Sequence, residues 1–578
     1  MIASTTTAPE RTGRVIPFEL RARLTRPPAA AAFALYLVIA LALFGQPLFD
    51  GGTRGCICLG GDEGIFIWSF AWWPHAVVHG LNPFHPNIIY APQGFDIALG
   101  ALIPGAALLL APVTAIAGPV YSYNVAMLLS PVLAAFFAFL LCRRVTGGKF
   151  WPALFGGWVF GFSPYMLGAL AGHMQLTLIF PVPAIVHVVL RGLAGEISRR
   201  RCVILLVILL TALFSFGAEV FVTFSLFGAV ALALALVLAD AGQRAALLRG
   251  GVVPLAIAYA ITAVIVSPYL YYAFQPGGLP ILLARTDMFS NDLLAFITPL
   301  PSLAVGGSQF ASTSSNFSAG WIEGGAYLGL PLIAMLILAI RRRWHRLDVK
   351  VMVLTMLVVI VCSLGGHLHL NGPTDIPLPW AVGHRLPVLG LAIPSRFTAY
   401  AFLIAGILAA AWLARTHRRL IGSALAVLIV VSLWPAVGQG FWRGRPPMPA
   451  LFTDAAYRSV LTPRDTVLVL PVGIAGYSML WQSVDDLRFK MASGYVVPPE
   501  APDPYKQDPI YPTLTTGFVI PNVELNAWRF LTTHGITAAV LDPADPQAAP
   551  WLGILQHLGW RARAVGGVDV LRPSRSTL

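Results

Sequence analysis

Charged residues are scarce in this chain. Asp, Glu, Lys and Arg make up 11% of its 578 residues, less than half of the roughly 25% usual in soluble globular domains. That deficit excludes a solvated surface over most of the sequence. Cysteine is also sparse, at five residues, which excludes a disulfide scaffold or a cysteine-rich metal module. Cys142, Cys202 and Cys362 fall in or at the ends of apolar runs and read as small apolar side chains. Cys56 and Cys58 lie in a loop; a disulfide across two residues is strained and two cysteines alone make a poor metal site, so neither role is expected there. No internal repeat stands out, which weighs against an inverted-repeat transporter.

Long apolar runs are what the sequence has instead. Hydrophobic residues make up 57% of the chain, in runs of about 18 to 22 residues, the length that crosses a bilayer as a helix. They fall near 29–47, 99–117, 121–142, 151–170, 174–192, 202–217, 219–239, 252–272, 326–340, 351–366, 396–414 and 420–437. The net charge of +13 does not mark a nucleic-acid partner, because its arginines sit in short clusters between these runs. Arg143 with Arg144, Arg199 to Arg201, Arg244 with Arg249, Arg341 to Arg343, and Arg415 with Arg418 and Arg419 follow the positive-inside pattern. The run 99–117 is broken by Pro104, Pro112 and Pro119 and is expected to lie along the interface or re-enter.

The expected fold is a polytopic α-helical membrane protein of about 11 crossings (11–13) with a C-terminal extracytoplasmic α/β domain. Residues 1–28 form a cytoplasmic tail, 29–437 the transmembrane domain with outer loops 48–98, 273–325 and 367–395, and 438–578 the outer domain. In that last segment 466–472, 536–542 and 566–572 read as buried strands, 526–535 and 550–560 as helices, and the Pro-rich stretch 494–522 as a long loop. It carries no Gly-rich phosphate loop and no Ser-His-Asp or Cys/His spacing. The expected location is a bacterial cytoplasmic (inner) membrane, with the N-terminus inside.

Few charges fall on the outer side, so each needs a reason. Asp62 and Glu63 stand just beyond the first span; an acid there can take a proton from an acceptor hydroxyl or organise a divalent cation, and it can equally cap the helix that follows. Trp68, Trp72, Trp73, His75 and His79 suggest that this helix rests on the outer leaflet. His173 and Gln175 occupy a short outer turn. Glu219 lies between two apolar runs and is, with Asp62, a candidate metal ligand. Asp292 and Glu323 are isolated acids of the 273–325 loop, and Asp292 also fits a cap for a helix beginning at Leu293. Arg385 and Arg396 defy the positive-inside rule, and Arg reads phosphate bidentately.

The stretches "GDEGIFIWSFAWW", "GFSPYMLGALAGHMQL", "SNDLLAFITP", "EGGAYLG" and "LPVLGLAIPSRF" resemble the GT-C superfamily of integral membrane glycosyltransferases, in its less characterised bacterial branch, over about residues 29–415. The resemblance implies a polyprenyl-phosphate-linked sugar as donor, a cell-envelope glycan, lipid or protein as acceptor, the lipid bilayer as a partner and an outer-face site. It makes the acid of the first outer loop catalytic, which maps onto Asp62 with Glu63 beside it. His173, Gln175, Glu219, Asp292, Glu323, Arg385 and Arg396 then bind substrate, with Arg396 on the donor phosphate. The sequence lacks an Asp-x-Asp pair, so Mg or Mn is an optional cofactor. A lipid-linked glycan flippase and a non-catalytic envelope assembly protein are the alternatives.

Overall fold

The computed structural model describes residues 29–50, 54–98, 100, 102–275, 286–386, 388–496 and 504–574. The tail 1–28, residues 276–285 of the 273–325 loop and residues 497–503 of the 494–522 loop lie outside them. Five described helices are long and apolar enough to cross a membrane: Pro119–Val145, Met174–Leu193, Ala218–Leu238, Ala241–Ile265 and Pro394–Leu413. Ala29–Phe44 and Arg419–Ser432 are shorter apolar helices. Exposed Ile204, Ile208, Val237, Val264 and Val427 stud the outward helix faces, the apolar surface that lipid covers. The proline-broken run yields two short helices, Pro104–Leu109 and Ala111–Ala117, before Gly118 (φ 84°) redirects the chain into Pro119–Val145.

Close helix contact holds the centre together. Helix Phe150–Gly161 packs against both Pro119–Val145 and Thr398–Leu413. A Cβ at Gly406 would stand 2.5 Å from the Gly156 carbonyl oxygen, and one at Gly156 would stand 2.7 Å from the Gly406 carbonyl oxygen. Small residues let two backbones approach where apolar burial alone gives little drive inside a bilayer.

Beyond a small antiparallel pair, β1 (His367–His369) and β2 (Pro373–Pro377), the strands lie in the C-terminal segment. They are β3 (Thr466–Leu470), β4 (Lys490–Met491), β5 (Ala538–Leu541), β6 (Trp560–Val565) and β7 (Val568–Pro573), in the sheet order β4-β3-β5-β7-β6. β3 is parallel to β4 and β5; β7 is antiparallel to β5 and β6. The all-buried β5 and the nearly all-buried β3 explain their unbroken apolar runs. β6 alternates Arg and Ala and hides its period behind exposed arginines, while β4 is two residues long.

The sheet is fastened to the first outer loop. Met491 donates its N–H to the Ile88 carbonyl at 2.8 Å, and Ala91 donates to the Met491 carbonyl at 2.9 Å. The Trp68 indole donates to Gln482 Oε1 at 2.7 Å, while Gln482 Nε2 donates to the Ile88 and Phe489 carbonyls. Trp68, Trp72 and Trp73 are therefore core residues with at most 4% exposure, not leaflet anchors as their spacing suggested. Helix Glu63–Val78 has partners on several sides, from Ser478–Val484, Pro104–Leu109 and Pro119–Val145. Cys56 and Cys58 also depart from expectation and form a disulfide, seated on Gly444, whose N–H and carbonyl pair with the Cys56 backbone at 3.0 Å each.

Gly406→Ala forces the helices Phe150–Gly161 and Thr398–Leu413 apart. We expect a loss of about 1–3 kcal/mol, the usual cost of overpacking, read as a lowered thermal midpoint in detergent.

Candidate active site

Five separate segments bring five charged side chains together. Gly60 (φ 129°) and Gly61 (φ 117°) turn the chain just before Asp62, and the Leu59 N–H donates to the Ala171 carbonyl at 2.7 Å. That bond sets the first outer loop beside the turn carrying His173. Glu323 ends the short helix Gly320–Glu323, which approaches helix Pro164–Ala169 so closely that a Cβ at Gly168 would stand 2.2 Å from the Ile322 carbonyl oxygen. Arg396 lies at the start of span Pro394–Leu413, and Glu219 in the first turn of Ala218–Leu238.

Their charges alternate in space. Asp62 Oδ2 lies 3.3 Å from His173 Nε2, which lies 3.4 Å from Glu323 Oε1. Arg396 grips Glu323 with a two-pronged bond, Nε to Oε2 at 2.8 Å and Nη2 to Oε1 at 2.6 Å. Its Nη1 donates to Glu219 Oε2, and Glu219 Oε1 accepts the Ile393 N–H at 3.1 Å. At the other end, the Tyr495 hydroxyl donates to Asp62 Oδ1 at 2.9 Å. Tyr495 follows β4, so the sheet reaches the first outer loop at this acid. Nothing in the spacing of "SGYVVPP" marks that tyrosine in advance.

Asp62 occupies the N-cap position of Glu63–Val78, yet its side chain makes no cap bond. The carboxylate is turned into the cluster. Burial pushes its pKa up, but the hydrogen bond and charge of His173, aided by Tyr495, outweigh burial and hold it below the ordinary value. For His173, burial works against the imidazolium, but the charge of Glu323 and the hydrogen bond to Asp62 win and raise its pKa above the ordinary 6.5. Glu323 is raised by burial and lowered more strongly by Arg396 and His173, to about 2. Glu63 goes the other way: burial raises its pKa, and its Oε2 is buried with no partner among the described residues.

Several expected site residues play other parts. Asp292 is fully buried; its Oδ1 accepts the Leu294 N–H and its Oδ2 the Gly372 N–H, each at 2.9 Å. It caps the short helix Leu293–Phe296 and fastens the outer loop. Arg385 is exposed and makes no side-chain contact with the cluster among the described residues. Gln175 is half-buried, its Oε1 has no partner among the described residues, and its carbonyl crowds Gly217, two residues before Glu219. Arg396 already spends three of its five N–H groups on two carboxylates, which makes it the organiser of Glu219 and Glu323 rather than a free phosphate clamp.

The carboxylates of the cluster are engaged with its own cations and donors: both oxygens of Glu323 and both of Glu219 accept hydrogen bonds, and Arg396 supplies the positive charge between them. Asp62 has Tyr495 and His173 on its two oxygens.

A family described as a domain of unknown function (DUF6311) matches residues 33–436. The chain belongs to the DUF6311 family. No curated protein matches it in sequence. Among solved structures, ArnT from Cupriavidus metallidurans, bound to undecaprenyl phosphate, is similar over 95% of this chain and 99% of its own, with TM-score 0.52 and 14% identity. The Archaeoglobus fulgidus oligosaccharyltransferase, tethered with an acceptor peptide, is similar over 95% of this chain and 74% of its own, with TM-score 0.52 and 12% identity. The arabinofuranosyltransferase AftD from Mycobacteria is similar over 96% of this chain and 42% of its own, with TM-score 0.55 and 14% identity. This DUF6311 chain thus has the fold of the GT-C glycosyltransferases, a membrane fold. At such identities the likeness is one of fold.

The pKa directions set a pH window. A raised His173 pKa gives stability that is present below the imidazole's unfolded value and lost as pH rises through the folded one. The lowered Asp62 and Glu323 give stability present above the usual carboxylate range and lost in acid. Thermal midpoints are therefore expected to fall on both the alkaline and the acid side, with His173→Gln removing the alkaline decline and also weakening the acid one, because His173 helps hold Asp62 and Glu323 ionised; a wild-type midpoint flat from pH 6 to pH 9 overturns the assignment of the proton to His173.

Proposed function

We propose that this chain is a membrane glycosyltransferase that moves a sugar from a polyprenyl-phosphate donor to a cell-envelope glycan, lipid or protein on the outer face of a bacterial inner membrane. The observation that carries the reading is the aim of Asp62: a helix-start acid that forgoes its cap bond and is kept ionised among His173 and Tyr495. The GT-C fold supports it, as does ArnT, a protein of that fold bound to undecaprenyl phosphate.

In this reading the acceptor oxygen attacks the anomeric carbon while its proton passes to Asp62. The bond from that carbon to the phosphate oxygen breaks, and polyprenyl phosphate leaves with the electron pair. His173 keeps its proton throughout, holding Asp62 in place and offsetting negative charge that builds beside it. Glu323 and Arg396 fix His173 in turn. Arg396 is committed to two glutamates, so the donor phosphate falls to Arg385, exposed just ahead of the span. Tyr495 carries the C-terminal sheet to the site, on the side from which an acceptor arrives.

Orientation follows from charge. Arg143 and Arg144 close the far end of Pro119–Val145, and Arg341 to Arg343 close Leu330–Arg343. Arg415, Arg418 and Arg419 follow Pro394–Leu413, whose opposite end carries Arg396. The positive-inside rule assigns those arginine ends to the cytoplasm and the cluster to the outside. A flippase would spread its charges through the depth of the spans; the cluster charges sit at helix ends.

Asp62→Asn keeps shape and removes the base. In a deletion background we expect it to abolish the envelope glycan lost in the deletion, by mass spectrometry at matched protein level; full restoration sinks the catalytic reading and favours an assembly role. Arg385→Gln is expected to raise the donor KM roughly tenfold, equivalent to about 1.4 kcal/mol, with kcat retained.

A further inference from the structure

The far end of helix Glu63–Val78 carries chemistry that the Asp62 cluster does not use. The tryptophans in its middle are buried, but its last residues emerge: Val77, Val78 and His79 are exposed and His75 is half-buried. The chain that follows ties this end to helix Ser267–Ala273, beyond the span Ala241–Ile265. Asn82 Nδ2 donates to the Tyr272 hydroxyl at 2.9 Å, and the Phe84 ring stacks on Tyr272 with centroids 5.0 Å apart. Arg244 and Arg249 mark the opposite end of that span as cytoplasmic, so the helix end lies outside. His75 follows Asp62 by thirteen positions, about 20 Å of helix.

Two imidazoles meet there. His75 and His79, four positions apart, share one helix face, and their ring centroids lie 4.1 Å apart with the planes at 30°. His79 Nδ1 stands 2.8 Å from the His75 carbonyl oxygen, and the His79 backbone N–H donates to the same oxygen at 3.1 Å. A carbonyl oxygen only accepts, so Nδ1 carries the proton and the Nε2 lone pair is bare. That is how a metal-ligating histidine is held, with one ring nitrogen donating to a carbonyl and the other turned to the ion. The His75 ring stacks on Trp72 at 6.1 Å, and no hydrogen bond among the described residues uses its nitrogens.

The ligands select the ion. Imidazole nitrogens suit Zn, Cu and Ni, whereas Mg and Ca take oxygen. Histidines at i and i+4 of a helix are the pair that holds zinc in H-E-x-x-H sites. No third His, Cys, Asp or Glu joins this pair among the described residues, so the ion keeps positions open to water. Cys56, Cys58 and Glu63 also group within 4.8 Å of one another, but their sulfurs are joined in the disulfide.

We propose that His75 and His79 form a binding site for a divalent transition-metal ion of the zinc class on the outer face, separate from the Asp62 cluster and independent of the activity proposed for it.

The test uses the full chain without a polyhistidine tag, stripped with EDTA and held in phosphatidylcholine nanodiscs. It is dialysed against Zn²⁺, and bound metal is counted by elemental mass spectrometry against empty nanodiscs. The wild type is expected to hold more zinc than His75→Gln with His79→Gln, and either single substitution to weaken zinc binding roughly tenfold, equivalent to about 1.4 kcal/mol. Equal zinc in the wild type and the double variant overturns the site. Hydrogen exchange of the wild type with and without zinc gives a reading that does not depend on how a variant folds. Slowed exchange at the end of Glu63–Val78 is expected, and no change there overturns the location. Displacement of the zinc by an equal concentration of Mg²⁺ overturns the choice of ion.

Discussion

The grip of Arg396 on Glu219 and Glu323 is the interaction on which the rest of the site depends. Three chain segments far apart in sequence meet at one guanidinium: the start of Ala218–Leu238, the end of the 273–325 loop and the start of Pro394–Leu413. Arg396 is 13% exposed at its side chain and Glu323 10%, so water screens the contacts little. A buried pair of this kind contributes little net stability, because desolvation offsets most of the attraction. Its weight lies in specificity: an arrangement of helices that separates the partners strands a buried charge, at about 3–5 kcal/mol. The cluster therefore selects one register among helices whose apolar surfaces alone would accept several.

From that anchor the order passes outward. Glu323 fixes His173, His173 fixes Asp62, and Tyr495 fixes Asp62 from the other side. The C-terminal sheet is thus a wall of the site rather than an appendage. Trp68 and Gln482 repeat the same connection a short way behind it, with the indole buried and the amide bonded on both its oxygen and its nitrogen. The proton on His173 and the charges on Asp62 and Glu323 belong to one unit, so titrating any one of them shifts the others.

Much of this was legible in the sequence, for physical reasons that can be named. Apolar runs of span length mark membrane helices, and the prolines at 104, 112 and 119 marked the run that breaks into two short helices. Asp62, His173, Glu219, Glu323 and Arg396 could be singled out because a charge at the edge of an apolar run is rare and needs a partner. What the sequence withheld was who partners whom. Arg396 looked like a phosphate ligand because its two glutamates are 73 and 177 residues away. Asp292 looked equally functional, and only the Leu294 and Gly372 N–H groups reveal a backbone clasp. The tryptophans of "WSFAWW" misled because an aromatic girdle and an aromatic core have the same composition. They are told apart by the sheet that covers them, which comes over 400 residues later with Gln482. The Cys56–Cys58 disulfide was set aside on strain, and the seat provided by Gly444 was invisible in sequence.

Charge balance gives the cluster its chemical character. With His173 protonated, the two cations of the group face three carboxylates, Asp62, Glu323 and Glu219. Two cations against three carboxylates leave a net charge of −1, and the one acid of the group that Arg396 does not hold is Asp62, at the His173 end. That is the end toward which Tyr495 and the sheet lead, and the end where a proton can be accepted without exposing an unpaired buried charge. Glu63 cannot take this role: it is 2% exposed, and burial favours its neutral form. Two adjacent acids thus diverge because one faces cations and the other faces the core, the general way in which environment assigns different roles to like carboxyls. An acid that stays ionised beside a fixed imidazolium is a base whose proton affinity rises when the imidazolium loses its proton, so the same contact that orients Asp62 also tunes it.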